Sequence, residues 1–215
     1  AHRNTTGCCD RLTIAPMSGT FAITKRGLPM IQNAEGGYKV RTELGNVLLV
    51  DGRGQLDDHA PPMSLPDARY GGERIEKANF DSKTGQGHAR MDLAKAYDPS
   101  LGITRYTREF FFESDGRIRL VDTIESAGPH RFTWLFHTYK SHPIPDKGGA
   151  AFTVQNQDER LEIQLKQSTA PLRHAVEATL VVWAYVNENQ GETFHHLKFE
   201  TQSPRKEVTA EFELH

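Results

Sequence analysis

Apolar and polar residues alternate along most of the chain with a period of two residues. Segments 160–166 and 208–214 alternate without a break. Such alternation places every apolar side chain on one face of a β-strand and every polar side chain on the other. Looser alternation continues through segments 19–25, 116–125, 132–138, 150–155, 176–186 and 194–201. The chain is therefore predicted to be rich in half-buried strands.

Turn-forming residues separate these strands. Residues 114–116 are Ser-Asp-Gly between two apolar runs, which predicts a β-hairpin. Asp51-Gly52 follows the apolar run 47–50 and predicts a tight turn. Residues 180–183 are all apolar, which predicts a central strand covered on both faces. Residues 55–87 are rich in proline and glycine and predict a long surface loop with at most short elements.

Many short strands without a long helical pattern are typical of an all-β fold. We expect a large antiparallel β-sandwich, with two facing sheets and few or no helices. No repeat or sharp boundary divides the sequence, so residues 1–215 are interpreted as a single domain. Segment 88–97 contains residues that favour a helix, but a resemblance described below favours a strand there.

Composition excludes several classes of protein. Hydrophobic residues make up 37% of the chain and charged residues 25%, enough to bury a core. The net charge of −2 argues against a nucleic-acid partner. No apolar run approaches the roughly 18 residues of a membrane helix, so we expect no membrane span. The chain begins at Ala1 without an initiator methionine, as expected for a processed product or a domain of a longer protein.

Few local motifs point to chemistry. The two cysteines, Cys8 and Cys9, are adjacent, so they cannot form a disulfide framework or a spaced zinc site. Among ten histidines, His59 follows two aspartates and His88 follows a glycine-rich turn. A single histidine is more often a surface or hydrogen-bonded structural residue than a catalytic one. No zinc-protease, nucleophile-elbow, phosphate-loop or dinucleotide motif is present in the sequence.

The densest group of polar residues lies in segment 38–55. A strand and a turn explain residues 47–52 fully, but they do not explain the polar residues on either side. These flanking residues are Tyr38, Arg41, Asn46 and Gln55. Two interpretations stay open for Arg41 and Asn46. Either both face a ligand, or Arg41 forms a surface salt bridge and Asn46 closes a turn.

Segment 45–55 resembles the His-Asn-x-x-Leu-Val-Asp-Gly-x-Gly-Gln signature of the heparinase II/III-like polysaccharide lyases. Further similar segments follow the family's order, at residues 19–29, 92–97, 106–122 and 134–138. Residues 92–97 are similar to a family strand, which is why we predict a strand there. The resemblance spans residues 19 to 138, and its motifs are specific in combination rather than singly.

The resemblance implies a β-sandwich that forms the C-terminal part of a two-part enzyme, whose N-terminal α/α toroid is absent here. Substrate would lie in the cleft between the two parts. The implied reaction is β-elimination on a uronate-containing polysaccharide, in which a base removes the C5 proton and an acid protonates the O4 leaving group. An Arg, Asn, His or cation must first neutralise the uronate carboxylate. The implied location is the periplasm or the extracellular space.

The sequence also departs from the family's pattern. Three positions that bind zinc in some members fall on Ala15, near Gln32 and on Gly45, so we expect no metal and no other cofactor. For the same reason we do not expect the family's usual catalytic histidine in this domain, which leaves His59 and His88 as catalytic candidates. The expected substrate-binding residues are Tyr38, Arg41, Asn46 and Gln55.

Three functional hypotheses follow. In the first, the chain is the sandwich domain of a lyase that acts on an acidic polysaccharide and is inactive without its toroid. In the second, it is a non-catalytic carbohydrate-binding or structural module. In the third, it is a simple protein-binding sandwich, which would carry an exposed apolar patch.

Overall fold

The computed structural model describes residues 18–34, 41–56, 74–138, 142–146, 148, 150–182 and 191–215. Tyr38 and His59, together with Cys8, Cys9 and Ala15, lie outside these residues. The helical elements within the described part are three short 3-10 turns, at Thr42–Leu44, Ala94–Ala96 and Pro99–Leu101. The all-β prediction is confirmed.

Fourteen strands are present in the described ranges. In chain order they are β1 Ile23–Lys25, β2 Leu28–Ile31, β3 Leu48–Val50, β4 Arg74–Phe80, β5 Gly87–Asp92, β6 Ile103–Phe112, β7 Ile118–His130, β8 Phe132–Thr138, β9 Ile144–Pro145, β10 Ala151–Asn156, β11 Glu159–Ser168, β12 Leu172–Val182, β13 Gly191–Thr201 and β14 Arg205–Leu214.

The strands form two sheets whose pairings are all antiparallel. The smaller sheet has the order β1-β2-β8-β13-β12, with β3 also paired to β8. The larger sheet has eight strands in the order β4-β5-β6-β7-β14-β11-β10-β9. The predicted sandwich of two facing sheets is confirmed.

Aromatic side chains fill the space between the sheets. Trp134 and Phe136 from β8 meet Phe212 of β14, with ring centroids 6.0 Å and 5.1 Å apart. Phe199 of β13 lies 5.0 Å from the same Phe212 ring. These four residues are the inward-facing members of alternating strands, so burial of one apolar face per strand drives the two sheets together.

A buried ion pair also lies in the interior. Arg108 of β6 and Asp122 of β7 are directly opposite each other, with Nη2 2.7 Å from Oδ2. Trp134 Nε1 donates to Asp122 at 2.8 Å and so joins the two sheets through this carboxylate. Burial alone would lower the pKa of Arg108, but Asp122 raises it above its ordinary value. Arg108 therefore stays charged inside the protein.

The local turn predictions are confirmed. Glu113 N donates to the Arg117 carbonyl at 2.9 Å, which closes the hairpin between β6 and β7. Asp51 and Gly52 both have positive φ, at 52° and 72°, and Val50 exchanges two hydrogen bonds with Arg53 around them. This geometry matches the right-handed twist of a two-residue hairpin.

One prediction about strands is wrong, and two are partly right. β12 ends the order of its sheet instead of lying at its centre, because an apolar run does not reveal how strands pair. Of the predicted loop 55–87, residues 57–73 lie outside the described part of the chain. Most of the described remainder is exposed, as predicted for a surface segment, but it contains the seven-residue strand β4, which was not predicted. Segment 88–97 begins as β5 but turns into a 3-10 turn at Ala94–Ala96.

Candidate functional site

Asn46 lies inside the protein rather than on a ligand-facing surface. Its side chain is fully buried and donates through Nδ2 to the Phe21 carbonyl at 2.6 Å. Its Oδ1 accepts a hydrogen bond from the backbone N–H of His137 at 2.6 Å. Asn46 thus fixes the segment before β3 against β8. The role in substrate binding stays a prediction, and this geometry favours the alternative of a residue that closes a turn.

Gln55 has a similar internal role. Its side chain forms a pair of hydrogen bonds with the backbone of Ser18, at 2.7 Å and 2.8 Å. Its backbone N–H donates to Thr42 Oγ1 at 2.9 Å. Because these amide groups are buried and already paired, they stabilise segment 41–55, which we call the rim, and are not presented to a ligand in this arrangement.

Arg41 is the most accessible of the predicted rim residues that the structure describes. Its guanidinium pairs with Glu43 at 3.1 Å, and both side chains are about half exposed. Exposed ion pairs of this kind contribute roughly 0–1 kcal/mol, so the guanidinium can exchange Glu43 for another carboxylate. The assignment of Arg41 to substrate binding stays a prediction, and its side chain is accessible enough to contact a substrate.

Two histidines that the sequence analysis did not select lie side by side. His137 of β8 is paired in register with His196 of β13, and their ring centroids are 5.1 Å apart. Since Trp134 and Phe136 face the core, alternation points His137 to the outer face of the smaller sheet. Glu177 of β12 is paired with His196 in turn. We call His137, His196 and Glu177 the histidine cluster.

The ring of His137 is deeply buried. Neither of its nitrogens makes a well-formed hydrogen bond within the described ranges, although backbone groups of Glu43 and Gly45 lie near the ring. Burial and the neighbouring His196 lower the pKa of His137 to about 3, and backbone groups of Glu43 and Gly45 partly oppose them. His137 is therefore neutral at neutral pH and cannot neutralise a uronate carboxylate by charge.

His196 is better oriented for chemistry. Its Nε2 lies 3.3 Å from Glu177 Oε2, and Lys198 donates to the same carboxylate at 3.0 Å. Burial lowers the pKa of His196, while Glu177 acts in the opposite direction. A neutral imidazole held by a carboxylate is the arrangement of a general base. The sequence places both histidines in predicted strands, but it does not show the strand register that pairs them.

His88 lies on a different surface. It extends from β5 on the outer face of the larger sheet, where its Nε2 is 2.8 Å from Glu109 Oε2. Its ring stacks on Phe111, with centroids 4.5 Å apart and an interplanar angle of 8°. Asn46 meets that sheet from its inner side, where Arg108 donates to the Asn46 carbonyl at 2.9 Å. The structure therefore orients His88 well but does not bring it together with the predicted rim.

The two described residues at the family's zinc positions do not form a metal site. Of the three positions, Gln32 and Gly45 are described, and they offer an exposed amide and no side chain. No group of three or more His, Cys, Asp or Glu in the described ranges is arranged to hold a metal ion. The donor set does not fit zinc here, and the expected loss of the metal and any cofactor stays a prediction.

Comparison with known proteins rests on structure alone, because no family model and no curated protein matches the sequence. A heparinase III structure superposes with a TM-score of 0.70 over 94% of this chain, at 12% identity. The heparan sulfate lyase HepC from Pedobacter heparinus gives 0.67 over 94%, at 15% identity. The chain has the fold of the heparinase III sandwich.

The chain spans about 30% of the length of these structures and matches their C-terminal part. The identity of 12–15% makes this a likeness of fold. The expectation of a lyase-like β-sandwich is thereby confirmed at the level of architecture. Among the described residues, no helix is long and apolar enough to cross a membrane.

Proposed function

We propose that this chain is the β-sandwich part of a polysaccharide lyase that cleaves a uronate-containing polysaccharide by β-elimination. One observation carries the proposal, which is the likeness to heparinase III and heparan sulfate lyase over 94% of the chain. The sequence motifs between residues 19 and 138 support it independently, because they occur in the order of the same family.

The sandwich alone holds an incomplete catalytic set. β-Elimination needs a cation or hydrogen-bond donor on the carboxylate, a base at C5 and an acid at O4. Arg41 can supply the first of these, and His196 with Glu177 has the form of the second. The described residues do not place a third group beside them. We therefore expect the chain to be inactive until the rest of the enzyme supplies the remaining groups.

The partners follow from this proposal. An acidic polysaccharide is the substrate, and an N-terminal toroid in the same protein forms the other wall of the cleft. A polymer of this kind lies outside the cytoplasm, so the proposed location is the periplasm or the extracellular space. The predicted catalytic residues His59 and His88 belong to the same proposal.

Ultraviolet absorbance tests the lyase reaction, because each cleavage creates a conjugated C4–C5 double bond. The full-length natural protein and the 215-residue chain are each incubated with heparan sulfate, hyaluronan, chondroitin sulfate and alginate. Absorbance should rise with the full-length protein on at least one polymer and should not rise with the chain alone. No increase on any polymer would retire the proposal.

A second candidate function is a non-catalytic carbohydrate-binding or structural module. It is favoured by the burial of Asn46 and Gln55, which leaves two of the predicted ligand groups occupied within the protein. Binding of a polysaccharide without any unsaturated product by the full-length protein would identify this module.

A further inference from the structure

An open depression of about 430 Å³ lies at the hairpin that joins β4 to β5. Phe80, the last residue of β4, lines it and is 63% exposed. A large aromatic side chain held in water is unusual in a folded domain, since its burial is favourable. The exposed ring is therefore available to a ligand, and covering it would be favourable.

The position of the Phe80 ring is fixed by its neighbours. Gly87 is paired opposite Phe80, and a Cβ on Gly87 would lie 2.8 Å from the ring and 2.7 Å from the Asn79 carbonyl. The ring also meets Phe112 edge to face, with centroids 5.9 Å apart. Glycine at position 87 thus leaves room for the Phe80 ring. The ring packs against Phe112 and provides a preformed apolar platform.

Planar polar side chains surround this platform, and each keeps at least one hydrogen-bonding atom unused among the described residues. The side-chain amide of Gln86 has no hydrogen-bond partner in the described part of the chain. Asn79 Oδ1 accepts from the backbone N–H of His88 at 3.1 Å, which leaves its Nδ2 without a described partner. His88 uses Nε2 for Glu109 and keeps Nδ1 available. All three residues line the depression.

The loop that carries these groups is stiff. Asp81 accepts hydrogen bonds from the backbone N–H of Lys83 at 2.9 Å and from Thr84 Oγ1 at 3.0 Å. The backbone of Asp81 also bonds to Gln86 and Gly85, each at 2.8 Å. A ligand that binds here therefore meets groups already in place, and little conformational entropy is lost on binding.

We propose that this depression binds one pyranose unit of an oligosaccharide. A pyranose ring has an apolar C–H face, which matches the exposed Phe80 ring, and a rim of hydroxyls, which match the amides of Asn79 and Gln86 and the imidazole of His88. The site is separate from the rim at residues 41–55. It includes His88, one of the catalytic candidates, but binding of a saccharide here needs no catalytic step. It rests on the proposed function only for the choice of saccharides to test.

Calorimetric titration with a heparan sulfate hexasaccharide and a neutral cello-hexaose tests the site, since the two probes separate acidic from neutral recognition. Phe80→Ala should weaken binding of the preferred probe about tenfold, and Phe80→Trp should retain it within about threefold. Gln86→Ala should weaken it about fivefold. Ile75→Ala is the matched control, because Ile75 is a 68% exposed apolar residue of the same strand outside the depression.

Amide chemical shifts map where the saccharide binds. Residues 79–88 should shift on titration of the wild-type protein, and these shifts should be lost in Phe80→Ala. The proposal is overturned if neither probe binds, or if Phe80→Ala and Ile75→Ala bind as well as the wild type. Failure of the lyase proposal is a different result, namely the absence of unsaturated product, and it leaves this titration unchanged.

Discussion

Arg108 and Asp122 face each other across β6 and β7 and form an ion pair with almost no contact with water, their side chains being 2% and 0% exposed. The remaining donors of Arg108 reach the carbonyls of Gly19 and Asn46, at 2.8 Å and 2.9 Å. The buried guanidinium of Arg108 therefore connects the larger sheet to Gly19, near the start of the described residues, and to Asn46 in the rim. This connection positions the segment that carries the family-like signature.

Removing one partner of this pair should destabilise the protein strongly. Asp122→Asn leaves the Arg108 charge uncompensated in the interior, and a loss of about 3–5 kcal/mol in the free energy of unfolding is expected. Urea denaturation followed by circular dichroism measures it. Arg105→Met, which breaks an exposed pair with Glu125, is the control and should cost at most about 1 kcal/mol. Equal costs for the two variants would contradict the role of the buried pair.

The histidine cluster should make stability depend on pH. The pKa of His137 is about 3 in the folded protein and near 6.5 in the unfolded chain. Above pH 6.5, His137 is neutral in both the folded and the unfolded state, so it does not make stability depend on pH. As the pH falls below 6.5, His137 becomes protonated in the unfolded state but stays neutral in the folded state. Stability is therefore lost towards pH 3, by at most about 1.4 kcal/mol per pH unit.

His137→Leu should reduce this pH dependence, because it removes the titrating ring and its unpaired nitrogens. Urea denaturation at pH 7 and pH 5 measures the difference. The wild type should lose more stability between these two values than the variant does. The same loss in both proteins would show that His137 is not the group responsible.

Asn46 and Arg41 should behave differently when each is truncated. Asn46→Ala leaves the partly buried carbonyl of Phe21 and the buried N–H of His137 without partners, so a loss of about 2–3 kcal/mol is expected. Arg41→Ala removes only an exposed ion pair and should cost less than about 1 kcal/mol. Denaturation of both variants checks this. A stable Asn46→Ala protein that has lost substrate binding would restore Asn46 as a ligand residue.

Replacement of His88 tests the catalytic prediction in an active full-length protein. If His88 transfers a proton, His88→Gln should lower kcat by at least about 100-fold and alter its pH profile. His174→Gln is the matched control, because His174 is an exposed histidine of β12 that the proposal does not use. Unchanged kcat in His88→Gln would remove this residue from the catalytic candidates.

The sequence predicted the architecture well because alternation is a local property. Segment 208–214 alternates strictly, and its odd and even positions lie on the two faces of β14 as expected. Properties that depend on pairing between distant strands were not predictable. The contact of His137 with His196 needs the β8–β13 register, and the burial of Arg108 needs Asp122 opposite it. An isolated arginine in a strand indicates a surface position instead.

The candidate site was predicted less well for a related reason. Polar residues beside a turn predict either ligand contact or internal bracing, and only the packing decides between them. Asn46 and Gln55 have buried side chains with internal partners, whereas Arg41 keeps a surface position. The exposed Phe80 was not predicted because β4 has no buried face, so its sequence lacks the alternation that indicates a strand.

Product analysis on heparan sulfate tests the central claim most directly. The full-length protein is incubated with heparan sulfate oligosaccharides, and the new non-reducing ends are identified by mass spectrometry and ultraviolet absorbance. β-Elimination predicts unsaturated uronate at every new end. Saturated ends, or oligosaccharides that remain intact, would contradict the account.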